Sequence, residues 1–384
     1  MCTDRERTLL NLWFCSISGV GAKTRKKLRE SFGEPENIFQ MTEKALCEAI
    51  QDADMVSRIL KSKDMQALEE QLCALESRNI KVVYPGHPSY PVRLYHIYDP
   101  PDILYVRGII RQESHIYNSS IGIVGSRKPD IYGREMAGMF ARKLAGWGCT
   151  IVSGLARGVD SAAHRGALEA GGYTMAVLGC GIDVTYPPEN AELYHQIEYS
   201  GAIISEYGLG VSPQPGFFPM RNRIISGLSD GVLVVEAKKK SGSLITADSA
   251  LEQGRQVYAL PGRAYDQNSE GTNNLIKQGA VCVTEPEDIL KDLNIGEDSN
   301  MQLQTEIMST KDDDSKDIAE DVVKNSLAPV EKMVYSCLSL EPMYIDDIIQ
   351  HSGIGITNVI SILYGLEERG VIKQPVRGYY ILAV

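Results

Sequence analysis

Glycine, small hydroxyl side chains and cations recur together along the middle of the chain. Two runs show this most clearly, Gly125-Ser126-Arg127 and Ser153-Gly154-Leu155-Ala156-Arg157-Gly158. Glycine lets a backbone approach a ligand closely, and free backbone N–H groups at the start of a helix suit an anion. An arginine can hold a phosphate through two parallel hydrogen bonds. This combination of residues predicts a site for a phosphate-rich ligand.

Two later segments add further cations. Arg221-Asn222-Arg223 follows the aromatic pair Phe217-Phe218, and Lys238-Lys239-Lys240 leads into Ser241-Gly242-Ser243. Backbone-binding charge beside a stacking surface is the composition expected of a site for single-stranded nucleic acid. A Ser-Gly-Ser turn that opens a helix is suited to an anion.

These polar segments alternate with short apolar runs rich in Val and Ile. The runs do not alternate apolar with polar residues, which is typical of strands buried on both faces. They cover residues 121–124, 150–152, 174–178, 202–204, 232–235, 257–260 and 280–283. Helical patterns lie between them, so the sequence predicts an α/β fold, a Rossmann-like doubly wound and mostly parallel sheet. In such a sheet the segments that follow the strands meet at one edge.

The remaining segments suggest three flanking regions. Residues 1–80 are predicted to form a small N-terminal helical domain of the helix-hairpin-helix or SAM-like type, and residues 81–294 the Rossmann-like domain, whose first part (81–110) reads as a linker or an extension wrapped onto that domain. Residues 295–325 carry nine acids and three lysines, hence −6 of the net charge of −11, and are predicted to be an acidic linker. Three helical patterns and a hairpin over 326–384 predict a C-terminal winged helix.

Other features narrow the functional class. The eight cysteines form no CxxC pair and the six histidines are dispersed, so neither a metal nor another cofactor is expected. No apolar run reaches about 18 residues, and the charged N-terminus lacks a signal-peptide core, so a cytoplasmic protein without a membrane span is expected.

The sequence favours binding over catalysis. No nucleophile stands beside an obvious base, although Asp160 and His164 lie one helical turn apart and could hydrogen-bond to each other. The alternative is a nucleotide-binding or nucleotide-hydrolysing enzyme of the lysine-decarboxylase-like Rossmann group, but the Pro-Gly-Gly-x-Gly-Thr run of that group is absent. A nucleotide-sensing adaptor that signals through its winged helix is a second alternative.

At these motifs the chain resembles the DNA-processing protein A (DprA/Smf) family. The resemblance covers about residues 84–290 and rests on motifs that match in order and spacing. They are 99–105, 121–127, 153–160, 179–183 with 186–187, 205–207, 218–219, 221–228, 240–246, 259–262 and 271–275.

The resemblance implies a protein that binds single-stranded DNA, forms a homodimer through its Rossmann-like domain, protects incoming DNA and helps to load the RecA recombinase in natural transformation. We expect Arg127→Ala and Arg221→Ala each to weaken DNA binding and to leave the fold intact. Carried over position by position, the predicted DNA-binding residues are Gly125, Ser126, Arg127, Ser153, Gly154, Arg157, Gly158, Arg221, Asn222, Arg223, Lys240, Ser241 and Ser243.

Overall fold

The computed structural model describes residues 3–50, 52–110, 119–293, 329–338, 343–369, 371–376 and 379–382. The chain divides into two compact units, Met1–Gly296 and Glu297–Val384. The acidic linker predicted over 295–325 lies outside the described residues.

The first unit is built on a nine-stranded sheet with strand order β1-β2-β6-β5-β4-β3-β7-β8-β9. Strands β3 to β9 run parallel, as predicted, whereas β1 and β2 are antiparallel additions at the β6 side. The segment 81–110 therefore supplies two strands of the sheet. The strands are β1 Lys81–Val83, β2 Leu104–Gly108, β3 Ser120–Val124, β4 Thr150–Ser153, β5 Thr174–Gly181, β6 Ala202–Tyr207, β7 Gly231–Val234, β8 Gln256–Ala259 and β9 Val281–Cys282.

Helices cover both faces of this sheet, so the α/β doubly wound prediction is confirmed. Phe140 packs with Ile121 and Ile123 on one face, and Ile225 packs with Val232 on the other. The helices of the first unit are α1 Asp4–Ser16, α2 Ala22–Phe32, α3 Pro35–Gln40, α4 Glu43–Ala49, α5 Ala53–Lys61, α6 Met65–Glu76, α7 Ile131–Gly146, α8 Val159–Glu169, α9 Ala191–Ser200, α10 Phe217–Leu228, α11 Gly242–Glu252, α12 Glu270–Lys277 and α13 Pro286–Asp292.

The N-terminal helices share a core with the sheet. Trp13 and Leu28 belong to the same hydrophobic cluster as Leu178 of β5. Helix α2 is tied to the chain before β2, because Arg25 Nε lies 2.7 Å from an oxygen of Asp102. Residues 1–80 thus pack against the sheet within one unit.

The second unit has its own small core. Val334, Ile348 and Leu363 are completely buried in it. Its elements are α14 Pro329–Cys337, β10 Met343–Tyr344, α15 Ile345–Ser352, α16 Ile356–Glu368, β11 Ile372–Val376 and β12 Tyr379–Leu382. The three strands pair antiparallel in the order β10-β12-β11. This element order is the one expected of a winged helix, and that assignment stays a prediction.

Within the described ranges, no helix has the length and apolar character needed to cross a membrane.

Candidate nucleic-acid interface

A cleft of about 320 Å³ opens at the carboxyl edge of the parallel strands. The loops after β3, β4 and β7 and the first turns of α10 and α11 line it, because parallel strands bring the segments that follow them to one edge. A smaller pocket of about 150 Å³ adjoins the cleft and shares Arg127, Ala156 and Phe218 with it. The polar segments singled out from the sequence therefore converge.

Ten of the thirteen predicted residues line these two cavities. The cleft is lined by Gly125, Ser126, Arg127, Arg221, Asn222, Lys240, Ser241 and Ser243. The adjoining pocket is lined by Gly154 and Arg157, and Arg127 lines both cavities. Their role in binding DNA stays a prediction.

Three cations at the mouth of the cleft, Arg127, Lys238 and Lys240, form what we call the lip. All three are exposed, and within the described part of the chain none of them makes an ion pair. The guanidinium carbon of Arg127 lies 4.9 Å from the centroid of the Phe218 ring. A stacked guanidinium keeps its N–H groups available at the edge, so Arg127 can hold a phosphate beside an aromatic face.

The start of α11 borders the lip. Ser241 is the N-cap of this helix, and its Oγ accepts a hydrogen bond of 3.4 Å from the backbone N–H of Ser243. The two hydroxyl oxygens lie 2.8 Å apart. Backbone N–H groups and the positive end of the helix dipole favour an anion at this position.

The base of the cleft, which we call the floor, consists of Asp160, Arg221 and Asn222. All three are buried, with at most 8% of each residue exposed. Arg221 donates from Nη1 to the carbonyl oxygens of Gly154, at 2.7 Å, and Val177. Its Nε donates to Asn222 Oδ1 at 3.2 Å. The floor arginine is therefore held by the protein itself.

Asp160 fixes the loop after β4. Its Oδ2 accepts from the backbone N–H groups of Gly154, at 3.2 Å, and Ala156, at 3.4 Å. Burial raises the pKa of Asp160, and the charge of Arg221 acts in the opposite direction. A Cβ at Gly154 would lie 2.2 Å from Arg221 Nη1, so glycine is required there for the arginine to reach its acceptors.

The other three predicted residues lie outside both linings. Ser153 is fully buried and donates from Oγ to the carbonyl of Ile123 at 2.6 Å. Arg223 is held between Glu206, at 2.7 Å, and Asp99, at 3.2 Å. Gly158 has φ +82°, and a Cβ on it would meet the Ser126 carbonyl at 2.4 Å.

Such contacts indicate that Ser153, Gly158 and Arg223 shape the loops around the cleft, and any direct contact of theirs with DNA stays a prediction. Arg157 also has a partner, because it pairs with Glu189, although both side chains are more than half exposed. The thirteen predicted residues therefore fall into two groups, ten that line the cavities and three that hold the surrounding loops, and a role in DNA binding stays a prediction for all of them.

Among the cleft residues outside the predicted set, Phe218 supplies an aromatic face and Lys238 a cation. Phe218 lies beside Arg127, and Lys238 joins the lip. Both belong to runs that the sequence marks as aromatic or basic. The sequence therefore showed that such side chains were present, but not which of them line the cleft.

Asp160 and His164 do not form a pair. His164 Nδ1 lies 2.7 Å from Thr174 Oγ1, whose own proton goes to the carbonyl of Ile151, so Nδ1 must be the donor to Thr174. Burial lowers the pKa of His164 to about 3. An acid–base pair at this helix therefore has no support in the geometry. In the described residues, no three His, Cys, Asp or Glu side chains are grouped so as to hold a metal ion.

Comparison with known proteins gives several matches of high coverage. Protein Smf of Synechocystis is 34% identical over 94% of this chain and 96% of its own length. Protein Smf of Escherichia coli is 47% identical over 60% of this chain, and the match spans 61% of that protein's length.

Two solved structures are also similar. The structure of DNA processing protein A from Streptococcus pneumoniae is 32% identical, with a TM-score of 0.63 over 74% of this chain and 97% of the other. That of DNA processing protein A from Helicobacter pylori, described as showing a unique single-stranded DNA binding mode, is 32% identical, with a TM-score of 0.50 over 56% and 95%.

The family model described as "DNA recombination-mediator protein A" matches residues 81–294, which is more than half of the chain and contains the whole cleft. The chain therefore belongs to the DNA recombination-mediator protein A family.

Proposed function

We propose that this protein binds single-stranded DNA in the cleft and acts in the cytoplasm as a homodimeric recombination mediator that protects incoming DNA and helps to load the RecA recombinase. The observation that carries the proposal is the lip: three exposed cations without ion pairs in the described residues, beside the Phe218 ring and the start of α11. The names of the relatives, DNA processing proteins, and the single-stranded DNA bound by the H. pylori protein support it.

In this proposal the lip and the α11 N-terminus bind phosphates, and aromatic rings accept bases. The rings of Tyr186 and Phe218 lie 5.8 Å apart between centroids, at the adjoining pocket. Contacts to phosphates carry little sequence information, and every base has a π-face, so binding should be nearly independent of sequence. A duplex hides its base faces, and it should therefore bind more weakly.

Titration of the full chain with labelled single-stranded and duplex oligonucleotides at two salt concentrations tests this. We expect tighter binding of the single strand and an affinity that falls with salt as counterions are released. A preference for duplex, or an affinity that ignores salt, would contradict the proposal.

The RecA part needs a separate experiment. RecA filament assembly on single-stranded DNA, followed by its ATP hydrolysis, should begin sooner when this protein is present. At equal concentration the Arg127→Ala variant should shorten the delay less, because it holds the strand more weakly. If the wild-type protein does not change the delay before RecA filaments assemble, the RecA-loading part of the proposal is contradicted. The DNA-binding part is not affected by that result.

A further inference from the structure

A further aromatic residue, outside the cleft lining, stands at the same edge of the sheet as the cleft. Tyr265 lies between β8 and α12, and its relative exposure of 102% means that nothing in the described residues covers the ring. The segment 263–269 follows the carboxyl end of β8, a strand parallel to β7, and therefore emerges at the carboxyl edge. Single exposed aromatic residues are common on protein surfaces, so the argument depends on how this one is held and on what lies beside it.

The segment around Tyr265 is fixed by its own hydrogen bonds. Asp266 accepts from the backbone N–H of Asn268 at 3.1 Å and from the hydroxyl of Ser269 at 2.7 Å. These bonds lower the pKa of Asp266, so its carboxylate stays charged and occupied. The carbonyl of Asn268 in turn accepts from the backbone N–H of Ala237 at 2.8 Å. Tyr265 is thus presented on an ordered turn, which reduces the entropy that a bound ring would lose.

The same bonds place this turn next to the lip. Ala237 directly precedes Lys238, and its carbonyl accepts from the backbone N–H of Gly271 at 2.7 Å. A Cβ on Gly271 would lie 2.8 Å from the carbonyl oxygen of Lys238. The turn that carries Tyr265 therefore packs directly against the Lys238 end of the cleft.

Two cations, Lys238 and Arg263, lie close enough to Asp266 of this turn for their charges to lower its pKa. Lys238 and Arg263 are exposed and make no ion pair within the described part of the chain. Asp266 keeps its negative charge and accepts the two hydrogen bonds above, while Glu270 lies 3.7 Å from Lys239 Nζ. Free cations beside an exposed ring suit a phosphate chain that carries bases.

We propose that Tyr265 is a base-stacking platform that extends the path of single-stranded DNA beyond the cleft, past Lys238, with Arg263 on the adjacent phosphate. This inference rests on the proposed function, because the strand must first occupy the cleft. The strand bound in the cleft makes an additional contact outside it, in which a nucleobase of any identity lies on the Tyr265 ring.

Tyr265→Ala in the full chain, titrated with thymidine oligonucleotides of about 4 to about 16 nucleotides, tests the inference. The matched control is Tyr199→Ala, since Tyr199 is 94% exposed but lies at the end of α9, just before β6 begins at the opposite, amino edge of the sheet. Stacking on an aromatic ring contributes about 1–3 kcal/mol per base, which is a loss of about fivefold or more. We expect that loss for the long strands alone, no loss in the control, and recovery in Tyr265→Trp.

The outcomes separate this inference from the proposed function. Failure of the wild-type chain to bind any of the strands would refute the proposed function. Wild-type binding with Tyr265→Ala and Tyr199→Ala indistinguishable at every length would overturn the platform alone. An equal loss of affinity for oligonucleotides of every length would show that Tyr265 contacts the part of the strand bound in the cleft. That result would overturn the proposal that Tyr265 extends the DNA path beyond the cleft. Long strands that lack bases outside the cleft-bound portion test stacking itself. If Tyr265→Ala loses as much affinity for them as for intact long strands, base stacking on Tyr265 is overturned.

Discussion

The lip and the floor of the cleft use the same residue type for different purposes. Arg127, at the lip, is exposed and contacts an aromatic ring, so its N–H groups remain available to a ligand. Arg221, at the floor, is 5% exposed and donates hydrogen bonds to two carbonyl groups and to Asn222. A cation whose hydrogen bonds are already made stabilises the site, whereas one that still faces solvent can bind. The comparison predicts opposite consequences for two identical substitutions.

Replacement of the floor arginine should have the largest effect, on stability. Arg221→Ala leaves the carbonyls of Gly154 and Val177 without their donor and leaves Asp160 buried without the opposing charge. Removal of one partner from a buried charged network costs about 3–5 kcal/mol. Urea unfolding of the variant measures this loss. Arg142→Ala is the control, because its ion pair with Glu169 is about half exposed and should contribute less than about 1 kcal/mol.

This result would replace the expectation from sequence that Arg221→Ala leaves the fold intact. An unfolding free energy equal to that of the Arg142→Ala control would show that the floor is not a structural network.

Replacement of the lip arginine should act on binding instead. Arg127→Ala removes an exposed side chain without a buried partner, so the fold should persist. The lost charge-assisted phosphate contact should weaken single-strand binding by about 1.5–3 kcal/mol. Fluorescence anisotropy of the variant and of Arg142→Ala at matched salt measures the difference. Wild-type affinity in folded Arg127→Ala would move the DNA site away from the lip.

Deletion of residues 326–384 should have the smallest effect. From Ala328 to Val384 the sequence has four lysines and arginines against six acids, a net charge of −2 with His neutral. Helix α16 contains no lysine or arginine, and Arg369 just after it lies 2.6 Å from Glu331. General attraction to phosphate therefore cannot come from this unit.

Truncated and full-length proteins should differ by less than about 1.4 kcal/mol, a factor of ten, in single-strand affinity. A larger loss, with the oligomeric state unchanged, would transfer the binding site to the second unit.

The sequence was sufficient for the parallel strands and for the edge at which the site lies. The apolar runs at 121–124 and 232–235 agree with β3 and β7 to within one residue, because a strand buried on both faces leaves a continuous apolar run in the sequence. Strands β1 and β2 were not predicted, because they lie in a segment rich in Pro and Tyr and add antiparallel at one side of the sheet.

The division between lip and floor was beyond the sequence for a different reason. Arg221 bonds to a carbonyl 67 residues away, and Arg223 pairs with Asp99 across 124 residues. Partners at such separations depend on how the loops pack at the edge of the sheet. Local composition therefore marks an arginine as a phosphate ligand whether or not the fold has already engaged it.

The most direct test of the account is the salt dependence of single-strand affinity in the wild-type chain and in Arg127→Ala. If the lip holds phosphates, log affinity should fall linearly with log salt in both proteins. The slope of the variant should be shallower by about 0.7, the value for one phosphate contact on a single strand. Parallel lines of equal height and slope would contradict the claim that Arg127 and the lip bind the DNA backbone.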